Sequence, residues 1–219
     1  MTTVGRTAKR VLDLVASSLA FVVLACPFAA IAVAIRLDGK GPVFFRQERV
    51  GKGGRVFRVW KFRTMTETRI SPEGPDFLYR DDPRITRVGR FLRNLGLDEL
   101  PQLLNVLSGE MTLVGPRPTL AYQVERYSPF QKRRLEVRPG ITSLAVVSGR
   151  NALSWNERIE LDIWYIDHWS LGLDVKIMLH TLWKVLVTRE GLYGQDGAND
   201  MFVDTEPRRG TKNDEGDEA

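Results

Sequence analysis

Residues 14–35 read LVASSLAFVVLACPFAAIAVAI, and none of these 22 positions carries a charged side chain. As an α-helix the stretch would be about 33 Å long, which is enough to cross the bilayer's hydrocarbon core of about 30 Å. A helix in the core of a soluble protein is rarely apolar on every face over such a length. The stretch therefore predicts a segment that is inserted in a membrane.

Basic residues flank this apolar segment at both ends. On one side lie Arg6, Lys9 and Arg10, and on the other Arg36, Lys40, Arg46 and Arg49. Because Lys and Arg mark the cytoplasmic side of a membrane, both ends are expected there. Pro27 follows Cys26 near the middle of the segment, where it removes a backbone hydrogen bond and bends a helix. We therefore predict a re-entrant helix that enters, bends at Cys26-Pro27 and returns to the same face.

Two alternatives to a re-entrant helix remain. A kinked helix that crosses the membrane would also accommodate Pro27. A lipoprotein-type signal peptide, suggested by the small residues before Cys26, is disfavoured because the apolar run continues for nine residues past it.

The composition of the chain narrows the class of protein. Of the 219 residues, 43% are hydrophobic and 27% are charged, which excludes collagen-like, low-complexity and wholly disordered chains. One cysteine and two histidines disfavour a disulfide framework and a Cys- or His-rich metal site. Residues 36–93 hold fifteen Lys and Arg against seven Asp and Glu, so an anionic partner is expected. No nucleic-acid-binding motif accompanies this charge, which favours phosphate or anionic lipid over nucleic acid.

Beyond the apolar segment, the pattern predicts an α+β, mainly helical domain. Apolar strands over 43–65, interrupted by the glycine-rich residues 51–54, predict a β-hairpin. A short extended segment is expected over 141–147. Helices are expected over 84–95, 100–107, 120–137, 154–168 and 173–187.

Asp98 and Glu99 stand side by side in the apolar frame LDELPQ, just before a predicted helix. The start of a helix presents free N–H groups and a partial positive charge, which stabilise an ionised Asp and attract phosphate. An ionised carboxylate there could attack phosphorus, as in aspartyl-phosphate enzymes, or bind magnesium. Simple capping of the helix is the alternative, because acidic residues are common in a first turn.

Three sets of basic residues are candidates for binding phosphate. Pro116 and Pro118 restrict the backbone around Arg117, whose guanidinium can donate two parallel hydrogen bonds to a phosphate. Lys61 and Arg63 would share one face of a strand and form a diphosphate clamp. A solvated turn or strand face is the alternative for these two sets. The third set recurs every three residues and would gather on one side of a helix: Arg84, Arg87, Arg90 and Arg93.

Eight motifs occur along the chain in a fixed order. They are KRVLDL (9–14), GPVFFRQ (41–47), KFRTM (61–65), LDELPQ (97–102), NVL (105–107), VGPRP (114–118), RPGIT (138–142) and SGRNA (148–152). Together they resemble the bacterial sugar transferases, the monotopic polyprenyl-phosphate phosphoglycosyl transferases. The resemblance covers about residues 6–202, and so many ordered motifs are far more specific than any single one.

The resemblance implies an enzyme of the bacterial inner membrane, acting at its cytoplasmic face. It would move a phosphosugar from a UDP-sugar to polyprenyl (undecaprenyl) phosphate and release UMP, which starts the assembly of a surface glycan. By the match to the family's dyad, Asp98 would form a phosphosugar-aspartyl intermediate, Mg²⁺ would bind at Asp98 and Glu99, and Arg117 between its two prolines would bind phosphate. The match also assigns further basic positions to the site: Arg63, Arg93 and Arg150.

On this basis we divide the chain into a membrane-inserted helix-break-helix (1–40), a catalytic sugar transferase domain with interfacial helices (41–203) and a disordered acidic tail (204–219). Membrane lipids are expected partners, and a second copy of the chain, in a homo-oligomer, is a further possible partner. Three residues depart from the family's pattern. Cys26 replaces a serine before the proline, Ser143 replaces a glycine at some expected cost in backbone freedom, and Val146 replaces a glutamine.

The sequence is also compatible with two other functions. A non-catalytic membrane-bound scaffold would use the basic face to hold anionic lipid or a partner. An enzyme that transfers the sugar without its phosphate would release UDP instead of UMP.

Overall fold

The computed structural model describes residues 3–66, 82–149 and 153–188, and these form a mainly helical α+β fold. The predicted mainly helical α+β character is confirmed. Its helices are α1 (Thr3–Val23), α2 (Ala25–Asp38), α3 (Arg87–Leu95), α4 (Leu103–Ser108), α5 (Ala121–Glu125), α6 (Pro129–Lys132), α7 (Leu144–Ser148), α8 (Trp155–Asp167) and α9 (Leu171–Trp183). Its strands are β1 (Phe44–Val50), β2 (Val56–Phe62), β3 (Thr112–Val114) and β4 (Gly140–Thr142). Shorter segments are the 3₁₀ turns Lys52–Gly54, Leu97–Gln102 and Arg133–Glu136 and the π-helix Lys184–Thr188. The expected tail, 204–219, lies outside the described residues.

The predicted hairpin is confirmed. Strands β1 and β2 pair antiparallel, from Phe44 opposite Phe62 to Val50 opposite Val56. Gly53 and Gly54 turn the chain with φ values of 67° and 79°, a region that favours glycine.

A second, parallel pair of strands was not predicted from the sequence. In it, β3 and β4 align Thr112 with Gly140 and Val114 with Thr142. The two backbones approach so closely that a Cβ atom on Gly140 would lie 2.1 Å from the nitrogen of Gly115. Glycine is therefore required there by packing, and the RPGIT motif contributes a close backbone contact.

Side-chain caps change the boundaries of two predicted helices. Helix α3 begins at Arg87 instead of residue 84, because Thr86 caps it by accepting from the N–H of Gly89 (3.0 Å). Arg84 folds back into a buried ion pair with Asp82 (2.6 Å), so it does not join the basic helix face. The predicted helix 120–137 is interrupted, because Ser128 caps a separate short helix, α6.

The extended segment predicted over 141–147 is also wrong beyond Thr142. Ser143 caps α7 there, with its hydroxyl accepting from the N–H of Val146 (3.1 Å). Its φ of −147° is extended backbone that any residue adopts. The cost expected from replacing glycine by Ser143 is therefore absent, and the serine instead supplies a helix cap.

Helices α1 and α2 contain the apolar stretch 14–35. Within the described ranges, neither helix alone has the length and apolarity to span a bilayer, whereas the two together do, with a bend of 61° between them. The break falls at Leu24, and Pro27 lies in the first turn of α2, where a missing N–H costs little. The bend predicted near Cys26-Pro27 is therefore present.

The first half of α1 is fastened to the rest of the molecule by polar contacts. Lys9 forms an ion pair with the buried Asp174 of α9 (2.7 Å). Arg10 donates to two backbone carbonyls at the end of α4 (2.6 and 3.1 Å). Asp13 is buried and accepts from the hydroxyl of Thr112 in β3 (2.7 Å). Lys9, Arg10 and Asp13 all belong to the KRVLDL motif.

The end of α2 is fastened to the same domain. Ile35 is buried in an apolar cluster with Phe62 of β2 and Leu92 of α3. The guanidinium of Arg63 donates to the carbonyls of residues 35, 39 and 40 (2.7–2.8 Å), which would otherwise be unsatisfied at the end of the helix. Asp38 accepts from the first turn of α3 (2.8 Å). Both arms of the bent pair therefore rest on one domain.

Candidate active site

The LDELPQ motif forms a 3₁₀ turn that follows directly on α3. Gly96 ends α3 in the left-handed conformation (φ 70°) and redirects the chain into Leu97–Gln102. Asp98 and Glu99 lie in the first turn of this segment, with exposed fractions of only 2% and 1%. Two buried carboxylates side by side require partners of opposite charge.

Glu99 has such partners on both of its oxygens. Lys61 of β2 donates to Oε1 (3.0 Å), and Arg117 donates to both Oε1 and Oε2, the latter at 3.0 Å. Burial by itself raises the pKa of Glu99, but the charges of Arg117 and Lys61 outweigh it and hold the pKa well below its ordinary value. Glu99 is therefore an ionised anchor for two cations.

Asp98 differs from its neighbour. Its buried Oδ1 atom accepts no hydrogen bond from any residue that the structure describes. Burial, and next the charge of Glu99, raise the pKa of Asp98 to about 6, against the opposing charges of Lys61, Arg93 and Arg117. The dyad thus combines a carboxylate paired on both oxygens with one whose buried Oδ1 lacks a donor among the described residues.

The two carboxylates are also the candidates for holding a metal ion. Over the described ranges, no three His, Cys, Asp or Glu side chains converge on one point. Magnesium does not need such a cluster, since it commonly binds one or two carboxylates together with substrate phosphates. The unused Oδ1 of Asp98 fits that chemistry, whereas both oxygens of Glu99 already accept from cations.

Asn105, in the NVL motif, places Lys61 within reach of Glu99. It is completely buried in α4, where its Oδ1 accepts from the N–H of Trp60 (2.9 Å) and its Nδ2 donates to the carbonyl of Arg58 (2.8 Å). One side chain therefore fixes α4 against the edge of β2. The sequence indicated the motif but no role for Asn105, because Trp60 and Arg58 lie more than forty positions away from it.

The segment around Arg117 is held in an extended path by backbone contacts. The carbonyl of Pro116 accepts from the N–H of Gly140 (2.9 Å), and the carbonyl of Thr119 accepts from the N–H of Val50 (2.8 Å). Pro116 is buried and Pro118 half-buried. The Arg117 side chain runs from this fixed backbone to Glu99 and remains 39% exposed, so an anion can reach it.

The predicted basic residues divide between two places. Lys61, Arg93 and Arg117 carry the positive charges that act on Asp98. Arg63 is engaged instead at the end of α2, because its guanidinium is buried against backbone carbonyls there. Arg150 lies outside the described residues, so its predicted role in binding phosphate stays a prediction.

Comparison with known proteins places this chain in a family. A family model described as bacterial sugar transferase matches residues 4–188. The chain is 49% identical over 187 residues to the uncharacterized sugar transferase EpsL of Bacillus subtilis, covering 84% of this chain and 89% of that protein.

Two further relatives are named for their substrates. The UDP-glucose:undecaprenyl-phosphate glucose-1-phosphate transferase of Caulobacter vibrioides is 45% identical over 190 residues, covering 82% of this chain and 70% of that protein. The undecaprenyl-phosphate galactose phosphotransferase of Salmonella typhimurium is 38% identical over 203 residues. That match covers 86% of this chain but 42% of the Salmonella protein, so the chain spans less than half of that relative.

Proposed function

The chain belongs to the bacterial sugar transferase family, and on this premise we propose that it transfers a sugar 1-phosphate from a UDP-sugar to undecaprenyl phosphate. The names of the Caulobacter and Salmonella relatives support the lipid acceptor. One of these names specifies glucose and the other galactose, so the proposal is for the reaction class. The observation that carries it is the buried Asp98, with an unused oxygen, among three cations and beside a fully paired Glu99.

In the first half-reaction, a carboxylate oxygen of Asp98 attacks the β-phosphorus of the UDP-sugar. The bond between this phosphorus and the oxygen that bridges to the α-phosphate breaks, and UMP leaves with the bonding electrons. A phosphosugar-aspartyl intermediate, which is an acyl phosphate, remains on the enzyme. No proton is transferred in this step, which suits a site without a histidine among its described residues.

In the second half-reaction, a phosphate oxygen of undecaprenyl phosphate attacks the same phosphorus. The bond to Asp98 breaks, the carboxylate is regenerated, and the product is undecaprenyl-diphosphate sugar. Because UMP leaves before the lipid reacts, the proposal requires ping-pong kinetics. With a pKa of about 6, Asp98 is mainly ionised at neutral pH, as a nucleophile must be.

The cations supply charge neutralisation, which is the main requirement of phosphoryl transfer. Arg117 is held in place through Glu99 and is exposed enough to contact the diphosphate, and Lys61 and Arg93 add positive charge beside Asp98. Asp98 would hold Mg²⁺, whereas Glu99 would hold Lys61 and Arg117 in place. When bound, the ion would neutralise charge on the diphosphate and its leaving group.

We propose further that the bent α1–α2 pair is a re-entrant membrane anchor at the cytoplasmic face of the inner membrane. The supporting observation is that both arms are fastened to the same domain, α1 through Asp13 and α2 through Ile35 and Arg63. A pair that crossed the membrane would place these two attachments on opposite sides. Such an anchor also brings the site to the surface where a polyprenyl phosphate resides.

The direct test is release of UMP from a panel of UDP-sugars by purified protein in lipid nanodiscs containing undecaprenyl phosphate and Mg²⁺. We expect UMP from at least one sugar, with sustained turnover only when the lipid phosphate is present. Asp98→Asn, which keeps the volume of the side chain, should abolish the reaction. Release of UDP would indicate transfer of the sugar alone, and no nucleotide release with any sugar would favour a non-catalytic scaffold.

A further inference from the structure

Arg134 is a buried arginine that contacts the backbone of Arg117. The proposed reaction does not use it. It lies in the 3₁₀ turn Arg133–Glu136, and its side chain is 5% exposed. Its guanidinium donates to Asp162 of α8 through Nε (2.9 Å) and a terminal nitrogen (2.6 Å). A third bond runs to the hydroxyl of Tyr127 (2.6 Å).

Aromatic rings also hold this guanidinium in place. Its central carbon lies 5.5 Å from the ring centre of Trp155 and 5.8 Å from that of Tyr127. Both distances are within the range of cation–π attraction. The planar group is therefore fixed in orientation as well as in position.

The fourth hydrogen bond of Arg134 connects this cluster to the site. The terminal nitrogen that contacts Asp162 also donates to the backbone carbonyl of Arg117 (3.2 Å). The Arg117 backbone is thereby tied to α8, while its side chain reaches Glu99. The planar guanidinium of Arg134 holds the Asp162 carboxylate, the Tyr127 hydroxyl and this carbonyl in one fixed geometry. A lysine ammonium is a compact charge on a flexible chain and would not fix the same geometry.

Stability alone does not explain a buried Arg–Asp pair. The loss of hydration on burying both charges offsets most of their attraction, and apolar residues of similar volume are often as stable. The neighbouring pair Arg133–Asp167 also connects this turn to α8, but it does so at the exposed surface. A buried pair that bonds the Arg117 carbonyl can instead fix a functional backbone.

We propose that Arg134 is a positioning residue: it holds the backbone of Arg117 so that the Arg117 guanidinium meets the diphosphate of the substrate. This inference rests on the proposed function, in which Arg117 contacts phosphate. Asp162 and Tyr127 contribute to this positioning, because they orient Arg134. None of these three residues needs to touch the substrate.

A double-mutant cycle tests this role. Arg134→Lys should lower kcat/KM for the UDP-sugar about tenfold in the wild-type background, as expected for loss of a hydrogen bond made by a charged group. In the Arg117→Ala background, the same substitution should change kcat/KM less than about twofold, because the group that Arg134 positions is gone. Equal losses in both backgrounds would overturn the proposal and show that Arg134 acts through the fold in general.

Matched variants complete the experiment. Arg133→Lys changes the exposed neighbour in the same turn and should leave kcat/KM unchanged. Tyr127→Phe removes one hydrogen bond to Arg134 at nearly constant side-chain volume. It should lower kcat/KM by less than Arg134→Lys does, with the same dependence on Arg117. If Arg134→Lys does not fold, Tyr127→Phe replaces it in the cycle.

The proposed function and the role of Arg134 can fail separately. Wild-type UMP release tests the reaction, whereas the cycle tests the coupling between Arg134 and Arg117. If Arg117→Ala retained full activity, the role of Arg134 would be overturned with it, while the reaction class would stand.

Discussion

Asp98 and Glu99 are adjacent in sequence, yet their surroundings give them opposite properties. Glu99 accepts from Lys61 and Arg117, whereas Asp98 keeps a buried oxygen without a donor among the described residues. The sequence predicted the dyad and its phosphate chemistry. It could not predict how the carboxylates divide their roles, because the cations come from positions 61 and 117, which only the folded chain brings together.

Asp98→Asn should stabilise the fold at neutral and alkaline pH while abolishing activity. Burial raises the pKa of Asp98 in the folded protein to about 6, above its value of 3.8 in an unfolded chain. Ionised Asp98 therefore costs folding free energy above about pH 6, by about 3 kcal/mol at most, and this cost disappears below about pH 4. The variant should raise Tm at about pH 8 and lose that advantage at about pH 4. A lower Tm than wild type at about pH 8 would contradict this assignment.

Glu99→Gln should impair substrate binding more than the response to magnesium. The neutral amide cannot hold Lys61 and Arg117 as the carboxylate does, so we expect KM for the UDP-sugar to rise about tenfold. The Mg²⁺ concentration for half-maximal rate should stay within about twofold of wild type, since both Glu99 oxygens already serve cations. A large increase in that concentration with an unchanged KM would instead support the metal-ligand role predicted for Glu99 from the sequence.

At the scale of elements, the sequence predicted features set by neighbouring residues better than features set by distant partners. The glycine turn of the hairpin and the bend near Pro27 depend on neighbouring residues, and both were predicted. The start of α3 was misplaced and α7 was predicted as an extended segment, because single caps, Thr86 and Ser143, decide where these helices begin. The pairing of β3 with β4 needs two three-residue segments to meet across the fold, and such short strands have no distinct pattern.

The attachment of α1 is another feature that depends on distant partners. Asp13 and Thr112 are 99 positions apart, and Lys9 and Asp174 are 165 apart. In the sequence Lys9 indicated the orientation of a membrane segment, and Lys9 and Asp13 belonged to the KRVLDL motif. In the fold they also bind α1 to the domain, which limits where α1 can lie.

Cysteine labelling tests the topology of the α1–α2 pair. The exposed native Cys26 is first replaced by serine, and single cysteines are then placed at the exposed positions Thr7 and Lys40. If the pair is re-entrant, a membrane-impermeant maleimide should label both positions in inverted vesicles and neither in intact spheroplasts. Labelling of one position in each preparation would show that the pair crosses the membrane.

At the scale of the whole molecule, the fold surrounds one short turn with elements from three parts of the chain. Strand β2 supplies Lys61, α3 supplies Arg93, and the extended segment after β3 supplies Arg117. The excess of basic residues over 36–93 therefore has a structural purpose at the site, although Arg63 and Arg84 within it serve helix and turn ends instead. Net charge predicted an anionic partner, but not which arginines meet it.

The proposed mechanism requires that Asp98 becomes covalently bonded to phosphorus. Intact-protein and peptide mass spectrometry can detect this after incubation with a reactive UDP-sugar, without undecaprenyl phosphate, and a rapid acid quench. We predict a mass increase equal to one sugar phosphate, located on the peptide that contains Asp98, absent from Asp98→Asn and removed when undecaprenyl phosphate is added. Formation of UMP and lipid-linked product at the normal rate, with no adduct on Asp98 at any time, would contradict the mechanism.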